Sequence, residues 1–365
     1  MVKLPEYVGK EIFKKYGIPV PDGKVFRRGD KIEWQTFPVC VKAQVLAGKR
    51  GKAGAIKFAS SMQELELAAA EILTMKVGGY SVGEVLVEEK LNILKEYYLS
   101  ITLDRDSRCP VLLASASGGM DIEEVPDSEI HKIKIPPFIG IQPYMLREIA
   151  AKLGLDKDLA KAIGNIIRQM YQIFVCEDAE LVEINPLVDV GAKLVAADAK
   201  VIIEDDAMFR HPEYKSVPQE FTELERRARE KDISFIQLDG DIGIIANGAG
   251  LTMATLDALT YYGGKPAVFL DLGGTDDVEK VKEAFKLVLE VKPKAVLVNI
   301  FGGVTKCDTV AKGIVEVLGQ NPQMRIAARI KGFNEEEARQ IFANAGIRGV
   351  KTLDEAARFV CEGGA

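Results

Sequence analysis

The chain has 365 residues, 47% of them hydrophobic and 28% charged, with 54 acids against 48 bases for a net charge of −6. That length exceeds one ordinary core and predicts two domains, and the acidic balance excludes a protein that works by neutralising nucleic-acid phosphates. Five scattered cysteines without a C-x-x-C spacing, and no apolar run as long as a membrane span, point away from a disulfide framework, a zinc site or a bilayer. The expected location is the cytoplasm, or an organelle matrix after removal of a targeting peptide.

Residues 5–16 have the spacing of a short amphipathic helix, ended by Gly17 and followed by the turn-rich Pro19-Val20-Pro21-Asp22-Gly23. Strands are predicted at 38–45, 83–88, 97–103 and 110–115, helices at 62–76 and 156–175, and a last strand pair at 181–188 and 194–200. Strands and helices mixed without a strict βα rhythm read as α+β. Residues 204–232 carry Pro212, Pro218 and the charged run 223–232, and read as a linker or connecting helix. The expected domains are therefore 1–230 and 231–365. Beyond the linker the rhythm becomes regular. Strands at 242–247, 267–272, 295–301 and 324–330 each run into a glycine turn and then a helix. Such units predict a doubly wound parallel sheet with its ligand beyond the carboxyl ends of the strands.

Residues 34–63 contain no Asp or Glu, yet hold Lys42, Lys49, Arg50, Lys52 and Lys57 among Gly48, Gly51 and Gly54. Glycines let backbone approach an anion, and the cations supply charge-assisted bonds to phosphate oxygens. The segment does not fit the P-loop pattern. Alternation along 38–45 puts Cys40, Lys42 and Gln44 on one face. A solvated basic loop is the plain alternative; the missing acids favour phosphate.

The second constellation is Glu183-Ile184-Asn185-Pro186 with Asp198. A two-residue turn at Gly191-Ala192, glycine first as type II′ requires, sets Asn185 opposite Asp198 and Glu183 opposite Lys200. An amide oxygen and a carboxylate about 5 Å apart suit Mg²⁺, a hard cation that takes few protein ligands. The outward face of an ordinary hairpin has the same look. Glu88, Glu89 and Glu96 are either acceptors for a nucleoside or exposed loop acids.

In the second half, Gly248-Ala249-Gly250 starts a G-x-G-x-x-G match that Met253 breaks. Asn247-Gly248-Ala249-Gly250 and Phe301-Gly302-Gly303-Val304 fall at the carboxyl edge of the sheet, where helix N-termini can hold a carboxylate or a phosphohistidine. Tight βα connections need the same glycines. His131 reads as structural, His211 as an exposed linker residue and Cys307 as a small helix-face residue.

These segments stand in an order that resembles the β subunit of succinyl-CoA synthetase. The resemblance rests on Glu6-Tyr7, Tyr16-Gly17-Ile18-Pro19-Val20-Pro21, Val41-Lys42-Ala43-Gln44-Val45 and Gly48-Lys49-Arg50-Gly51-Lys52-Ala53-Gly54. It continues through Leu86-Val87-Glu88, Lys95-Glu96, Glu183-Ile184-Asn185-Pro186-Leu187, Asn247-Gly248-Ala249-Gly250-Leu251 and Val298-Asn299-Ile300-Phe301-Gly302-Gly303, nearly the whole chain. It implies an ATP-grasp domain followed by a flavodoxin-like CoA-ligase domain. It carries over Lys42, Lys49, Arg50, Gly51, Glu88, Leu91 and Glu96 as nucleotide contacts and Asn185 and Asp198 as Mg²⁺ ligands. Glu183 would orient a phosphohistidine, and Asn247, Gly302, Gly303 and Val304 would line the organic-acid or phosphohistidine site shared with the partner. The implied partner is an α subunit, in an αβ or α2β2 assembly, carrying that histidine and most of the coenzyme A site. The implied reaction is the reversible conversion of succinate, CoA and nucleoside triphosphate into succinyl-CoA, diphosphate and phosphate, through succinyl phosphate and phosphohistidine.

Pro21 resembles ATP-preferring members, whereas Leu46 and Leu91 depart from the family near the nucleotide, so GTP stays open beside ATP. Three other readings stand beside this one. The acid is malate or citrate instead of succinate; the chain is a free-standing ATP-grasp carboxylate–amine ligase, against which the regular second domain argues; or it is a nucleotide-sensing subunit without catalysis. No reading calls for nucleic acid or a membrane.

Overall fold

The computed structural model describes residues 2–46, 50–191, 193–215, 217, 221–319 and 324–362. The chain divides into two compact units, Met1–Glu220 and Phe221–Ala365.

The first unit is built on two antiparallel sheets. The larger runs in the order Val2–Lys3, Lys200–Ile203, Ala179–Asp189, Lys95–Asp104, Cys109–Ser115, His131–Lys134, with Leu194–Ala196 also pairing Ala179–Asp189. Helix Lys157–Cys176 presents Ile163, Ile166, Ile167, Met170 and Ile173 to this sheet, the i, i+3, i+4 repeat of one helical face, and they bury against Leu99, Ile101 and Val182. Asp156 caps its start by accepting from the N–H groups of Asp158 and Leu159. Helices Glu6–Lys15 and Pro143–Lys152 complete that core. The smaller sheet, in the order Gly23–Arg27, Glu84–Glu89, Val39–Ala43, Ile56–Ala59, is covered by helix Met62–Thr74. The mixed layout is the α+β arrangement expected from the irregular strand–helix order.

The hairpin register agrees with the turn placed at Gly191-Ala192. Glu183 pairs with Lys200, and Leu187 with Ala196. Between the two stretches Ala197 N–H donates to the Pro186 carbonyl at 3.0 Å, in the register that sets positions 185 and 198 opposite one another, while Ala192 itself lies outside the described residues. Gly191 has φ +103°, a conformation glycine adopts without a Cβ penalty. On the other flank, pairing with Lys95–Asp104 slips between Ile184 and Leu187, so the Asn185-Pro186 step carries an extra residue and bulges from the ladder.

The second unit is one six-stranded sheet in the order Ser234–Gln237, Val268–Asp271, Ile242–Ala246, Ala295–Gly302, Arg325–Gly332, Arg348–Val350. All neighbours are parallel except the first pair, an antiparallel edge that the sequence pattern did not reveal. Alternation along Ala295–Gly302 assigns each face. Val296, Val298 and Ile300 meet helices Val278–Glu290 and Cys307–Leu318, whereas Ala295 and Leu297 meet helices Ala249–Tyr261 and Leu353–Cys361. Helices on both faces make the sheet doubly wound. The charged helix Glu223–Glu230 buries Ala228 in this core rather than in the first unit's. No helix among the described residues is long and apolar enough to cross a membrane.

Candidate functional site: a buried ion-pair cluster and a glycine-edged loop

Lys42 projects from the Val39–Ala43 strand, every residue of which is buried. Its Nζ lies 2.9 Å from Glu6 Oε1 and 2.6 Å from Glu88 Oε1. Lys10, one turn beyond Glu6 on the first helix, reaches Glu6 Oε1 at 2.7 Å and Glu88 Oε2 at 2.5 Å. Arg50 spans Glu6 Oε2 at 2.5 Å and Asp198 Oδ2 at 2.7 Å. Both lysines also donate to the Ala197 carbonyl, and Gly9 packs on Ala199, so the first helix clamps the stretch that carries Asp198. Among the described residues three cations and three carboxylates thus meet in one largely buried cluster.

This corrects one inference from sequence. The cations of residues 34–63 have no acids nearby in the chain, but Glu6, Glu88 and Asp198 reach them from three other elements. Burial alone would raise the Glu6 carboxyl; the fields of Arg50, Lys10 and Lys42 outweigh it and hold that group well below the usual carboxylate range. Burial would lower Lys42, yet Glu6, Glu88 and Asp198 raise it well above an ordinary lysine. The Cys40 thiol on the same face is pushed up to about 11, chiefly by burial. Of the other basic residues, Lys52 pairs with Asp121 and Glu124, and Lys57 with Glu71. Lys49 and Gly48 lie outside the described residues. Gly51 follows Arg50 in a tight exposed turn, closed by Ala55 N–H donating to the Arg50 carbonyl.

Glu88 has both carboxylate oxygens engaged by lysines. Glu89 is exposed at the end of its strand, and Leu91 sits half-buried in the loop that follows. Glu96 lies against the Gly118-Gly119 turn: a Cβ at Gly119 (φ +75°) would collide with Glu96 Oε2. The same turn ties down Asn185, whose Oδ1 accepts from Gly119 N–H at 2.8 Å while Nδ2 donates to the Met120 carbonyl at 2.9 Å. Asp198 Oδ1 accepts from Ala199 N–H at 2.7 Å. Two hard oxygen donors with unused lone pairs, on opposite positions of one hairpin, fit the donor set that Mg²⁺ prefers. Glu183 is fixed by Tyr98, whose hydroxyl donates to Oε2 at 2.9 Å, with Lys200 Nζ 3.8 Å from Oε1. Burial first, then the Glu183 charge, raises the Tyr98 hydroxyl above an ordinary tyrosine, so it stays a donor.

Glu6 and Lys10 were not singled out from the sequence. Their signal was available: two charges at i and i+4 on the stripe that continues to Phe13 are misplaced on a face meant for a core.

In the second unit Asn247 acts as a splice. Its Nδ2 donates to the Phe301 carbonyl and its Oδ1 accepts from Phe301 N–H, both at 2.9 Å. The side chain thereby continues the strand pairing past Ala246 and sets the start of the Gly302-Gly303-Val304 loop. Thr305 fastens the far end, its hydroxyl donating to the Gly273 carbonyl at 2.9 Å and accepting from Thr275 N–H at 3.2 Å. Gly302 must be glycine, since a Cβ there would stand 2.5 Å from Cys307 Sγ. Among the described residues the N–H groups of Gly303 and Val304 have no partner, and Val304 is 81% exposed. Gly248 N–H is not available to an anion, because it donates to Asp271 Oδ1 at 2.5 Å.

The two histidines differ from each other. His131 lies on an edge strand, whereas His211, expected to be exposed, is buried at 6% exposure. Its Nε2 is 2.8 Å from Asp178 Oδ2 and its ring stacks on Tyr214. Tyr214 also donates to Glu177, which accepts from Lys15 and Tyr16 as well. That cluster could bring His211, Glu177 and Glu213 around a cation, but the Glu177 oxygens are already engaged.

An ATP-grasp domain matches residues 3–189 and a CoA-ligase domain matches residues 245–361. The two domains therefore define a subunit of a nucleotide-dependent CoA ligase. The chain is 46% identical over 368 residues to the succinate–CoA ligase [ADP-forming] subunit beta of Desulfurococcus amylolyticus, covering 97% of each. It is 45% identical to that of Ignicoccus hospitalis (98% of each) and 44% identical to that of Methanocaldococcus jannaschii (99% of this chain, all of the relative). The chain belongs to this family of succinate–CoA ligase β subunits. The same fold occurs in a structure of ATP citrate lyase from Methanothrix soehngenii with citrate and coenzyme A, at 18% identity, 99% coverage of both chains and a TM-score of 0.68.

Proposed function

We propose that the chain is the nucleotide-binding β subunit of an ADP-forming succinate–CoA ligase, interconverting succinate, CoA and ATP with succinyl-CoA, ADP and phosphate alongside an α partner. The observation that carries this is kinship with succinate–CoA ligase β subunits along nearly the full chain. In this reading Lys42, Lys49, Arg50 and Gly51 take the polyphosphate, and Glu88, Leu91 and Glu96 shape the nucleoside end. Asn185 and Asp198 hold Mg²⁺, which when bound neutralises phosphate charge. Glu183, aimed by Tyr98, accepts a hydrogen bond from the partner's phosphohistidine ring and so orients it. Asn247 holds the acid loop in place, and the free N–H groups of Gly303 and Val304 take the carboxylate oxygens of succinate. The chain's contribution is positioning and charge neutralisation; the covalent carrier and most of the CoA site belong to the α subunit, in an αβ or α2β2 assembly.

Co-expression with the cognate α subunit tests this. ADP release should require both succinate and CoA, and labelled γ-phosphate should appear on a histidine of the partner. Label retained on this chain, or equal turnover with an amine in place of CoA, refutes it.

A further inference from the structure

The charge balance of the cradle has a consequence for how metal and nucleotide bind. Arg50 Nη2 holds Asp198 Oδ2 at 2.7 Å, while Nη1 is held by Glu6 Oε2 at 2.5 Å and by the Ala43 carbonyl at 3.3 Å. The arginine side chain is 12% exposed and Asp198 29%, so this pair is shielded and its attraction is only partly screened. Among the described residues Lys10, Lys42 and Arg50 are matched by Glu6, Glu88 and Asp198, so part of the attraction these cations offer a polyphosphate is already spent on carboxylates. The Arg50–Asp198 pair is direct, so a cation drawn to Asp198 weakens the hold on Arg50, and a phosphate drawn to Arg50 weakens the hold on Asp198.

We infer that Arg50 and Asp198 are an exchange pair, in which a divalent cation at Asp198 releases the arginine to the phosphates while Glu6 anchors the guanidinium by its other arm. Glu6 is thus a positioning residue, and the inference rests on the reading of Asp198 as a metal ligand. Metal and polyphosphate then bind more tightly together than their separate affinities allow. The coupling is reciprocal, and couplings of this kind are worth roughly 5- to 150-fold in affinity.

The test is titration calorimetry of the full chain, in complex with its α partner, using ADP in excess EDTA and then ADP with Mg²⁺. Wild type should bind metal-free ADP weakly. Asp198→Asn, which keeps the shape and removes the charge that holds Arg50, should bind metal-free ADP several-fold more tightly and lose most of the Mg²⁺ enhancement. In an Arg50→Gln background the same Asp198→Asn change should give no gain. A gain of equal size in that background would reduce the effect to a bare charge change and overturn the exchange; so would no gain in the single variant. Nucleotide-free Mn²⁺ binding, read by paramagnetic resonance, gives the reverse arm should Asp198→Asn not fold: Arg50→Gln should bind Mn²⁺ more tightly than wild type, and unchanged affinity counts against the pair. If wild type binds neither ADP nor Mg·ADP, the nucleotide-site reading itself fails, an outcome distinct from a wild type that binds both without coupling.

Discussion

Glu6 carries more of the site than any residue the sequence pattern brought forward. Its side chain is 1% exposed and serves Lys10, Lys42 and Arg50 at once. Removing one member of a buried charge cluster leaves the others uncompensated, so Glu6→Gln should cost about 3–5 kcal/mol in urea unfolding at pH 7. The pH dependence has a definite sign. A carboxyl held below its unfolded value, about 4.3, contributes stability above that pH and loses it as pH falls through the folded value. Wild type should therefore lose stability below about pH 4.5 faster than Glu6→Gln, and the gap between them should narrow. A gap that stays constant down to pH 3 contradicts the charge argument. Asn247 makes the opposite case, since its amide is fully spent on the Phe301 backbone. Asn247→Ala frees the Gly302-Gly303-Val304 loop without touching the cluster around Glu6, Lys42 and Arg50. kcat/KM for the organic acid should fall about 100-fold, as small misplacements of reacting groups do, with KM for ATP unchanged. Equal damage to both parameters argues against a positioning role.

Elements were legible where a local rule fixed them. The turn at Gly191-Ala192 determines the hairpin register, because two-residue loops leave no slack, and Glu183↔Lys200 followed from it. The strand–glycine–helix repeat from 242 onward gave the doubly wound sheet for the same reason. What escaped was non-local. The counter-ions of Lys42 come from Glu6 and Glu88, 36 and 46 positions away, and no spacing rule links a helix N-terminus to a distant strand. The antiparallel edge strand Ser234–Gln237 escaped because four residues following a charged helix carry little periodicity. Burial of His211 escaped because its partner, Asp178, lies 33 positions earlier in the chain. The parallel pairing of Ala295–Gly302 with Arg325–Gly332 supplies a test at this scale. Gly332 has φ +113°, and a Cβ there would collide with the Gly302 carbonyl. Gly332→Ala should destabilise the second unit by about 1–3 kcal/mol in thermal melts followed by circular dichroism. Gly303→Ala is the control: nothing lies within 4 Å of its Cβ position, and its stability should be unchanged.

At the scale of the molecule, the two units have separate cores and are proposed to have separate ligands. Leu99, Ile101 and Val182 belong to the first, and Val296, Val298 and Phe285 to the second. Every group proposed for the nucleotide lies in Met1–Glu220, and every group proposed for the acid in Phe221–Ala365. A ligand that binds only the native state stabilises what it touches by mass action, by about 2.7 kcal/mol at a hundred times its Kd. Hydrogen exchange followed by mass spectrometry separates the two units peptide by peptide. With saturating Mg·ADP, amides in the Glu6–Lys15 helix and the Val39–Ala43 and Ala179–Asp189 strands should gain protection. Those in Ile242–Ala246 and Ala295–Gly302 should exchange as before. The distinction matters for the division of labour: if nucleotide protects the Gly302 loop as strongly as the cradle, the acid site is not an independent station. The positions assigned to Asn247, Gly303 and Val304 would then belong to the nucleotide's own site.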